Sequence, residues 1–485
     1  MPAMGSRPAK PVDAAVPATA LGINLSGLQT FNRQQVFANM IAQSEWFSSR
    51  GSGWTAMPQA QLDADGWVIG LDPGQTAPRP LVIPAAPFRP VEVRCTFAGR
   101  GELAAGGVAR ITGTAGNAID LELTPTGDEG EGAWIELLAT DPADPLRDLD
   151  CRKVGTPREA RFDPEFLTFL SGFSAIRFVD WQRTNDNAKV RWSARARPES
   201  GSQVGVAGAS IEDMVDLANA VGADPWFLMP YDADAAYIGS FARLVHHRLD
   251  PARKVYVELG NEVWNDIFDA AGQAEREGMA LGLGGGDATR ARMERYADKM
   301  IGAMRIWTRV YADRPDALVR VCATQHANPD LARIVLGHDG SADWVDALAT
   351  APYLWLDLDG YRNGDVDRVF AAMPVSLSRT FAMAEDNRAI AKAHGLRYIA
   401  YEGGQHLVTT DLVLARAVQR DPRMGEVYAR YLEGWRRRFG DTLVLYATSA
   451  PIAEYGSWGL QEYAGQPTSE TPKLTALRQF RAGIR

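Results

Sequence analysis

Cysteine is scarce in this chain, long apolar runs are absent, and basic charge is not in excess. Three cysteines, Cys95, Cys151 and Cys322, are too few for a disulfide framework or a zinc cluster. Cys95 and Cys151 are candidates for a pair, which the sequence leaves open. No apolar run reaches the roughly 18 residues that a membrane-spanning helix needs, so no membrane partner is expected. A formal net charge of -9 disfavours a nucleic-acid backbone or an anionic membrane surface and is compatible with a neutral substrate. There are six histidines, and none of them forms a His-x-x-x-His or mixed acidic cluster at ligand spacing, so neither a metal nor another cofactor is expected. No Gly-x-Gly-x-x-Gly or Gly-x-Ser-x-Gly turn occurs, and Gly284-Gly285-Gly286 reads as a loop rather than a phosphate cradle. Residues 1–19 are rich in Ala and Pro and lack the apolar segment of a leader. They are expected to be a disordered or linker segment, of the kind left when a leader is removed, and the protein is expected in a secreted or periplasmic setting.

What is present is a chain of 485 residues, 46% hydrophobic and 23% charged, which suits one barrel-sized domain with an accessory unit. Thirteen tryptophans exceed average usage. Most such rings are core, but exposed Trp and Tyr also stack on flat apolar ligand faces.

Ala20-Leu21-Gly22-Ile23-Asn24 reads as a first buried strand, and residues 31–46 show helical spacing of Phe37, Met40 and Ile41. Between residues 51 and 155 the rhythm changes to short alternating segments separated by Gly, Pro, Asp and Thr. Val91-Glu92-Val93-Arg94-Cys95-Thr96-Phe97 is the clearest, with others near 67–71, 81–83, 108–111, 119–123 and 134–138. These predict an antiparallel β-sandwich, either a scaffold or a carbohydrate-binding unit. After residue 155 strand and helix alternate. Ser210, with Asp213 three residues on, marks one helix start. Strands are expected near 175–181, 225–230, 255–259, 319–323, 345–351, 398–401 and 443–446. With the first strand this makes eight, which predicts an α/β fold, a (β/α)8 TIM barrel on 20–50 and 156–485 with the sandwich (51–155) inserted after the first barrel strand. An open doubly wound sheet is the alternative.

Two of these strands end in the same way. Val255-Tyr256-Val257-Glu258-Leu259 runs into Gly260-Asn261-Glu262, and Tyr398-Ile399-Ala400-Tyr401 runs into Glu402-Gly403-Gly404. In such a barrel, residues just past the strand C-termini share one face. That face would gather Asn24, Asp180, Trp181, Tyr231, Asp232, Asn261, Glu262, Gln325, His326, Tyr353, Glu402 and Trp458. A paired acid and carboxylate is what cleavage of a glycosidic bond requires. Glu258 shares the strand parity of Glu262 and is expected to point into the barrel and pair with Arg177. Asp180 and Asn185-Asp186-Asn187 fit either substrate contact or turn chemistry. His326 fits either a sugar contact or a satisfied rim histidine, and His406 a loop contact.

The ordered set of strand ends resembles clan A of the retaining glycoside hydrolases, the family 5-like β/α-barrel enzymes. Gly260-Asn261-Glu262 stands at the fourth strand and Tyr401-Glu402 at the seventh. Gly22-Ile23-Asn24, Ile176-Arg177-Phe178, Tyr353 and Tyr455-Gly456-Ser457-Trp458 fall at the first, second, sixth and eighth. The clan often has a His after the third strand, where this chain has Tyr231-Asp232. The resemblance implies Glu262 as general acid and then base, Glu402 as nucleophile, and Asn261 bonded to the sugar 2-hydroxyl. It also implies Arg177 and Tyr353 holding Glu402, and Trp458 as sugar platform. Asp180, Trp181, Tyr231 and His326 are expected as further substrate contacts from their place at the strand ends. The expected reaction is hydrolysis of a β-linked polysaccharide or oligosaccharide with retention, which requires the carboxyls about 5–5.5 Å apart rather than about 6.5–9.5 Å. The alternatives are a non-catalytic carbohydrate-binding or scaffold barrel and a transglycosylase using the same glutamates.

Overall fold

The computed structural model describes residues 19–51, 53–83, 89–128, 130–186 and 191–483. The expected linker at the N-terminus, apart from residue 19, lies outside these residues, as does Asn187.

Eight parallel strands close into a barrel in chain order: Leu21–Asn24, Ala175–Arg177, Asp224–Met229, Val255–Leu259, Leu318–Ala323, Ala347–Thr350, Arg397–Ala400 and Leu443–Leu445. The alternation of each strand divides its side chains between two cores. Val255, Val257 and Leu259 face the surrounding helices, whereas Tyr256 points inward with Trp226, Leu228, Val321, Ile399, Tyr401 and Val444. At Gly22 a Cβ would sit 2.9 Å from Val444 Cγ2 and 3.0 Å from the Ala175 carbonyl. The missing side chain is therefore what lets the first strand pair closely with the second and the eighth. Ser210 caps the helix Ile211–Val221 by accepting from the Asp213 amide, as its sequence signature predicts.

Between the first and second barrel strands lie a two-stranded antiparallel sheet, Phe47–Ser49 with Trp54–Ala56, and two larger antiparallel sheets, consistent with an inserted β unit. One contains Arg147–Lys153, Val91–Ala98, Ala118–Leu123 and Ala109–Thr114. The other contains Ala77–Leu81, Ala133–Thr140 and Gly101–Gly107. They enclose a separate apolar cluster that includes Val93, Ile119, Leu121, Ile135, Leu137 and Leu149. Cys95 and Cys151 face each other across paired strands and form a disulfide. Gly101–Gly107 and Arg147–Lys153 carry too little apolar alternation to be read as strands. The segment near 67–71 makes only a bridge from Val68 to Leu62.

Residues 31–46 do not form the expected helix. They make two short 3-10 turns, Thr30–Asn32 and Met40–Gln43. The apolar spacing has another origin, because Val36, Phe37 and Ala42 pack into the barrel cluster while Met40, Ile41 and Trp46 pack into that of the antiparallel sheets. This segment serves two cores on opposite sides, which one helical stripe cannot do. Arg79 ties the same joint together. It is fully buried between the rings of Trp46 and Trp67, and it donates to the carbonyls of Ile41, Ser44 and Gly201. Burial lowers its pKa to about 9.

Denatured, unreduced protein is expected to take up one maleimide, at Cys322, and three after reduction. Three adducts by mass spectrometry without reductant would sink the assigned bond.

Candidate active site

The floor of the barrel mouth is built on one inward-pointing cation. Arg177 ends the second strand, is fully buried, and places each of its five N–H groups on a different protein acceptor position. Nε and one Nη2 hydrogen hold Glu258, at 3.2 and 3.0 Å. The other Nη2 hydrogen goes to Asn261 Oδ1 at 2.8 Å. Nη1 reaches Asn24 Oδ1 at 3.1 Å and Glu402 Oε1 at 2.7 Å. The guanidinium lies 4.9 Å from the Tyr401 ring centroid. Trp226 Nε1 donates to Glu258 at 2.9 Å. Asn24 donates to the carbonyls of Tyr401 and Leu445 and so links the first, seventh and eighth strands. The strand parity that sends Glu258 inward thus produces a bidentate Arg–carboxylate pair.

Glu262 has a different setting. The fourth strand ends at Leu259, Gly260 with φ 63° starts a sharp turn, and Glu262 itself adopts φ 44°, a left-handed conformation uncommon for a residue with a side chain. Its carboxyl receives the Tyr401 hydroxyl at 2.9 Å and the Asn265 amide at 2.8 Å. Both donors are neutral. Glu402 receives the Arg177 guanidinium on one oxygen and the Tyr353 hydroxyl on the other, at 3.0 Å.

This difference sets the charges. Burial and the nearby Glu402 carboxylate raise the Glu262 pKa to about 7, with Asn265 and Tyr401 opposing the shift. Burial raises Glu402 as well, with Arg177 and Tyr353 opposing the shift. The guanidinium favours the charged form of Glu402, and Glu262, among neutral donors, has no such partner. Asp180, at the end of the second strand, is a third carboxyl, raised to about 7 by burial and by Glu402. It accepts from the Tyr446 hydroxyl at 3.2 Å.

An aromatic wall stands beside Glu402. The sixth and seventh barrel strands resume above the barrel as a two-stranded parallel sheet, Tyr353–Trp355 with Gly404–His406. The His406 ring lies 5.5 Å from Tyr353 and 5.6 Å from Trp458, and Trp458 packs on Tyr446 at 6.0 Å.

Glu262, Glu402, Asn261, Arg177, Asp180, Tyr353 and Trp458 therefore belong to this connected group. Three other expected contacts do not. Trp181 is core, packed among Phe37, Phe166 and Phe178 with its indole N–H on the Ser26 carbonyl. Tyr231 turns toward the helices behind the barrel, where its hydroxyl meets Glu277 and the Lys299 ammonium lies over its ring. His326 has both ring nitrogens bonded inside the protein, to Thr350 Oγ1 and the Thr380 carbonyl, and burial lowers its pKa to about 4. Of its two sequence readings, the structure matches the satisfied histidine. Asp186 pairs with Arg183, and Asn185 accepts from Asn261 at 3.0 Å. Tyr401, Asn265 and Tyr446 were not assigned roles from sequence. Asn265, three residues after Glu262 in a turn, carried the one usable signal. Among the described residues no three His, Cys, Asp or Glu side chains are grouped to hold a metal, and no helix is long and apolar enough to cross a membrane.

No protein family and no curated protein sequence matches the chain. Several solved structures do. A 4-O-α-L-rhamnosyl-β-D-glucuronidase from Fusarium oxysporum is 12% identical over 64% of this chain and 62% of its own, with a TM-score of 0.39. An α-L-arabinofuranosidase from Thermotoga maritima is 11% identical over 65% and 62%, with a TM-score of 0.37. A monomeric β-xylosidase from Caulobacter crescentus is 16% identical over 66% and 65%, also at 0.37. The chain spans less than two thirds of the length of each, and identities this low carry no residue role across.

Replacing Glu402 by Gln is expected to lower the Glu262 pKa from about 7, because a neutral neighbour no longer disfavours the second charge. Carboxyl-carbon NMR titration of the variant reads this directly, and an unmoved midpoint refutes the coupling. Arg177→Met, which leaves Glu258 buried without a counter-charge, is expected to cost about 3–5 kcal/mol in urea denaturation.

Proposed function

We propose that the protein is a retaining glycoside hydrolase that cleaves a β-linked polysaccharide or oligosaccharide by double displacement. The observation that carries this reading is the contrast between two neighbouring strand-end carboxyls. Glu402 is paired with a buried guanidinium, and Glu262 is held among neutral donors with its pKa raised to about 7. Environments that push two carboxyls apart in this way suit one to attack and the other to deliver a proton.

In the first step a Glu402 oxygen attacks the anomeric carbon while Glu262 gives its proton to the departing glycosidic oxygen. The C–O bond to the leaving sugar breaks and an ester to Glu402 forms. Glu262, now a carboxylate, takes a proton from water, whose oxygen attacks the same carbon and releases Glu402. Each inversion reverses the other, so configuration is retained. Arg177 and Tyr353 keep Glu402 charged and aimed. Asn261 Nδ2, which donates to Asn185, passes to the sugar 2-hydroxyl on binding. Among the described residues, the cation bonded to these carboxyls is Arg177, whose N–H groups are all engaged, which supports a neutral rather than an acidic sugar. An exported, secreted or periplasmic setting is supported by the Cys95–Cys151 bond. Endo action on a polymer, with the sandwich as an accessory unit, completes the proposal.

The test is hydrolysis of a panel of β-linked polysaccharides and aryl glycosides. Glu262→Ala is expected to lower kcat/KM by about 10²–10⁴-fold, the usual contribution of a general acid–base, and Glu402→Ala to abolish turnover. Proton NMR is expected to show the β-anomer as first product. First release of the α-anomer, or full activity in Glu402→Ala, contradicts the mechanism. The pH profile of kcat/KM is expected to fall as pH rises through about 7, where Glu262 loses its proton. It should fall again on the acid side as Glu402 gains one, and the basic limb should vanish in Glu262→Ala.

A further inference from the structure

The short parallel sheet above the barrel has one buried and one open face. In Tyr353–Trp355, Leu354 is buried in the barrel cluster, so Tyr353 and Trp355 point to the other side. Tyr353 touches Glu402. Trp355 lies two residues farther from the barrel, about 7 Å along the strand. It stands opposite His406 in the pairing register and is 53% exposed. The row continues on the other side of His406, through Trp458 to Tyr455. The Tyr455 ring lies 6.4 Å from Trp458 with 32° between planes and is 62% exposed. A row of aromatic side chains therefore runs from the proposed nucleophile through Tyr353, His406 and Trp458 to Tyr455 in water, and the exposed Trp355 stands beside it, across from His406 in the strand pairing.

Neither terminal ring belongs to an apolar cluster of the fold. Their placement gains the protein little stability, since apolar area stabilises at about 25 cal/mol per Å² only when it leaves water. Large exposed rings continuous with a polar site are instead suited to a ligand with one flat apolar face and hydroxyls around its edge. A sugar ring is such a ligand, and it is also what the adjacent carboxyls are proposed to cleave.

We propose that Trp355 and Tyr455 are distal sugar subsites, each stacking one unit of a β-linked chain beyond the two units that flank the cleaved bond. The substrate is then an oligosaccharide or polysaccharide of at least three units, and a disaccharide fills only part of the site. This inference rests on the glycosidase reading and adds the length of chain recognised.

Its test uses β-1,4- and β-1,3-linked glucan, xylan and mannan oligosaccharides of two to six units, with the full-length protein. For the series that is cut, kcat/KM is expected to rise at least tenfold from the shortest to the longest member. Trp355→Ala and Tyr455→Ala are each expected to lower kcat/KM for the longest member by about three- to tenfold, as loss of one aromatic stack implies, through KM rather than kcat. The loss for the shortest member should be several-fold smaller, and Trp355→Phe and Tyr455→Phe should restore most of the length dependence. A flat length series in wild type, or equal losses at every length, overturns the subsites and leaves the glycosidase reading intact. If no oligosaccharide is cut, the glycosidase reading fails, and calorimetric binding of the same series decides the subsites. Binding that weakens in Trp355→Ala and Tyr455→Ala supports them, and no binding, or binding unchanged in the variants, overturns them.

Discussion

One buried guanidinium organises the mouth of this barrel. A cation removed from water is tolerated only if its donors are satisfied and its charge compensated. Arg177 meets both conditions by drawing Asn24, Glu258, Asn261 and Glu402 from the ends of three other strands onto one planar fork. Glu258 supplies a full bidentate partner from below, so Glu402 can share the charge from above and still present its second oxygen to Tyr353. The strand ends are held in register by a polar network as much as by the apolar layer of Trp226, Tyr256, Val321 and Ile399 beneath it.

The same network separates two chemically identical side chains. Glu262 and Glu402 are both buried and both at strand ends, and burial alone would raise both pKa values. Only Glu402 reaches the cation. Tyr401 mediates between them, with its ring against Arg177 and its hydroxyl on Glu262. The upward shift at Glu262 comes from burial first and then from the Glu402 carboxylate, whose charged form Arg177 favours. Asp180, near the same charges and held by Tyr446, feels the same pressure.

Much of this was legible in the sequence, for identifiable reasons. Parallel strands buried on both faces read as short apolar runs, and all eight barrel strands stood out in that way. The carboxylates stood out because each such run stops at a polar residue next to glycine or asparagine. Strand parity placed Glu258 opposite Arg177. What failed was direction beyond the strand. Trp181, Tyr231 and His326 follow strand ends too, but the chain turns there, and only contacts distant in sequence decide whether a side chain faces the mouth or the helices. Thr380, which accepts His326, lies 54 residues away. Residues 31–46 misled for a related reason, since their apolar positions serve two cores. Tyr446 and Tyr401 were visible as strand residues, but nothing local marked their hydroxyls as partners of Asp180 and Glu262.

The backbone at Glu262 connects function to fold in a further way. A side chain held at φ 44° sits where glycine rests without strain, at a cost of about 1 kcal/mol or more for any other residue. On stability alone this position favours the loss of its carboxyl, and the substitution that relieves the turn is the one that removes the proposed proton donor. A screen for thermostable variants would drift toward glycine there and collect well-folded, inert protein. Retention of Glu262 across such pressure would be a signature of selection for chemistry rather than for the fold.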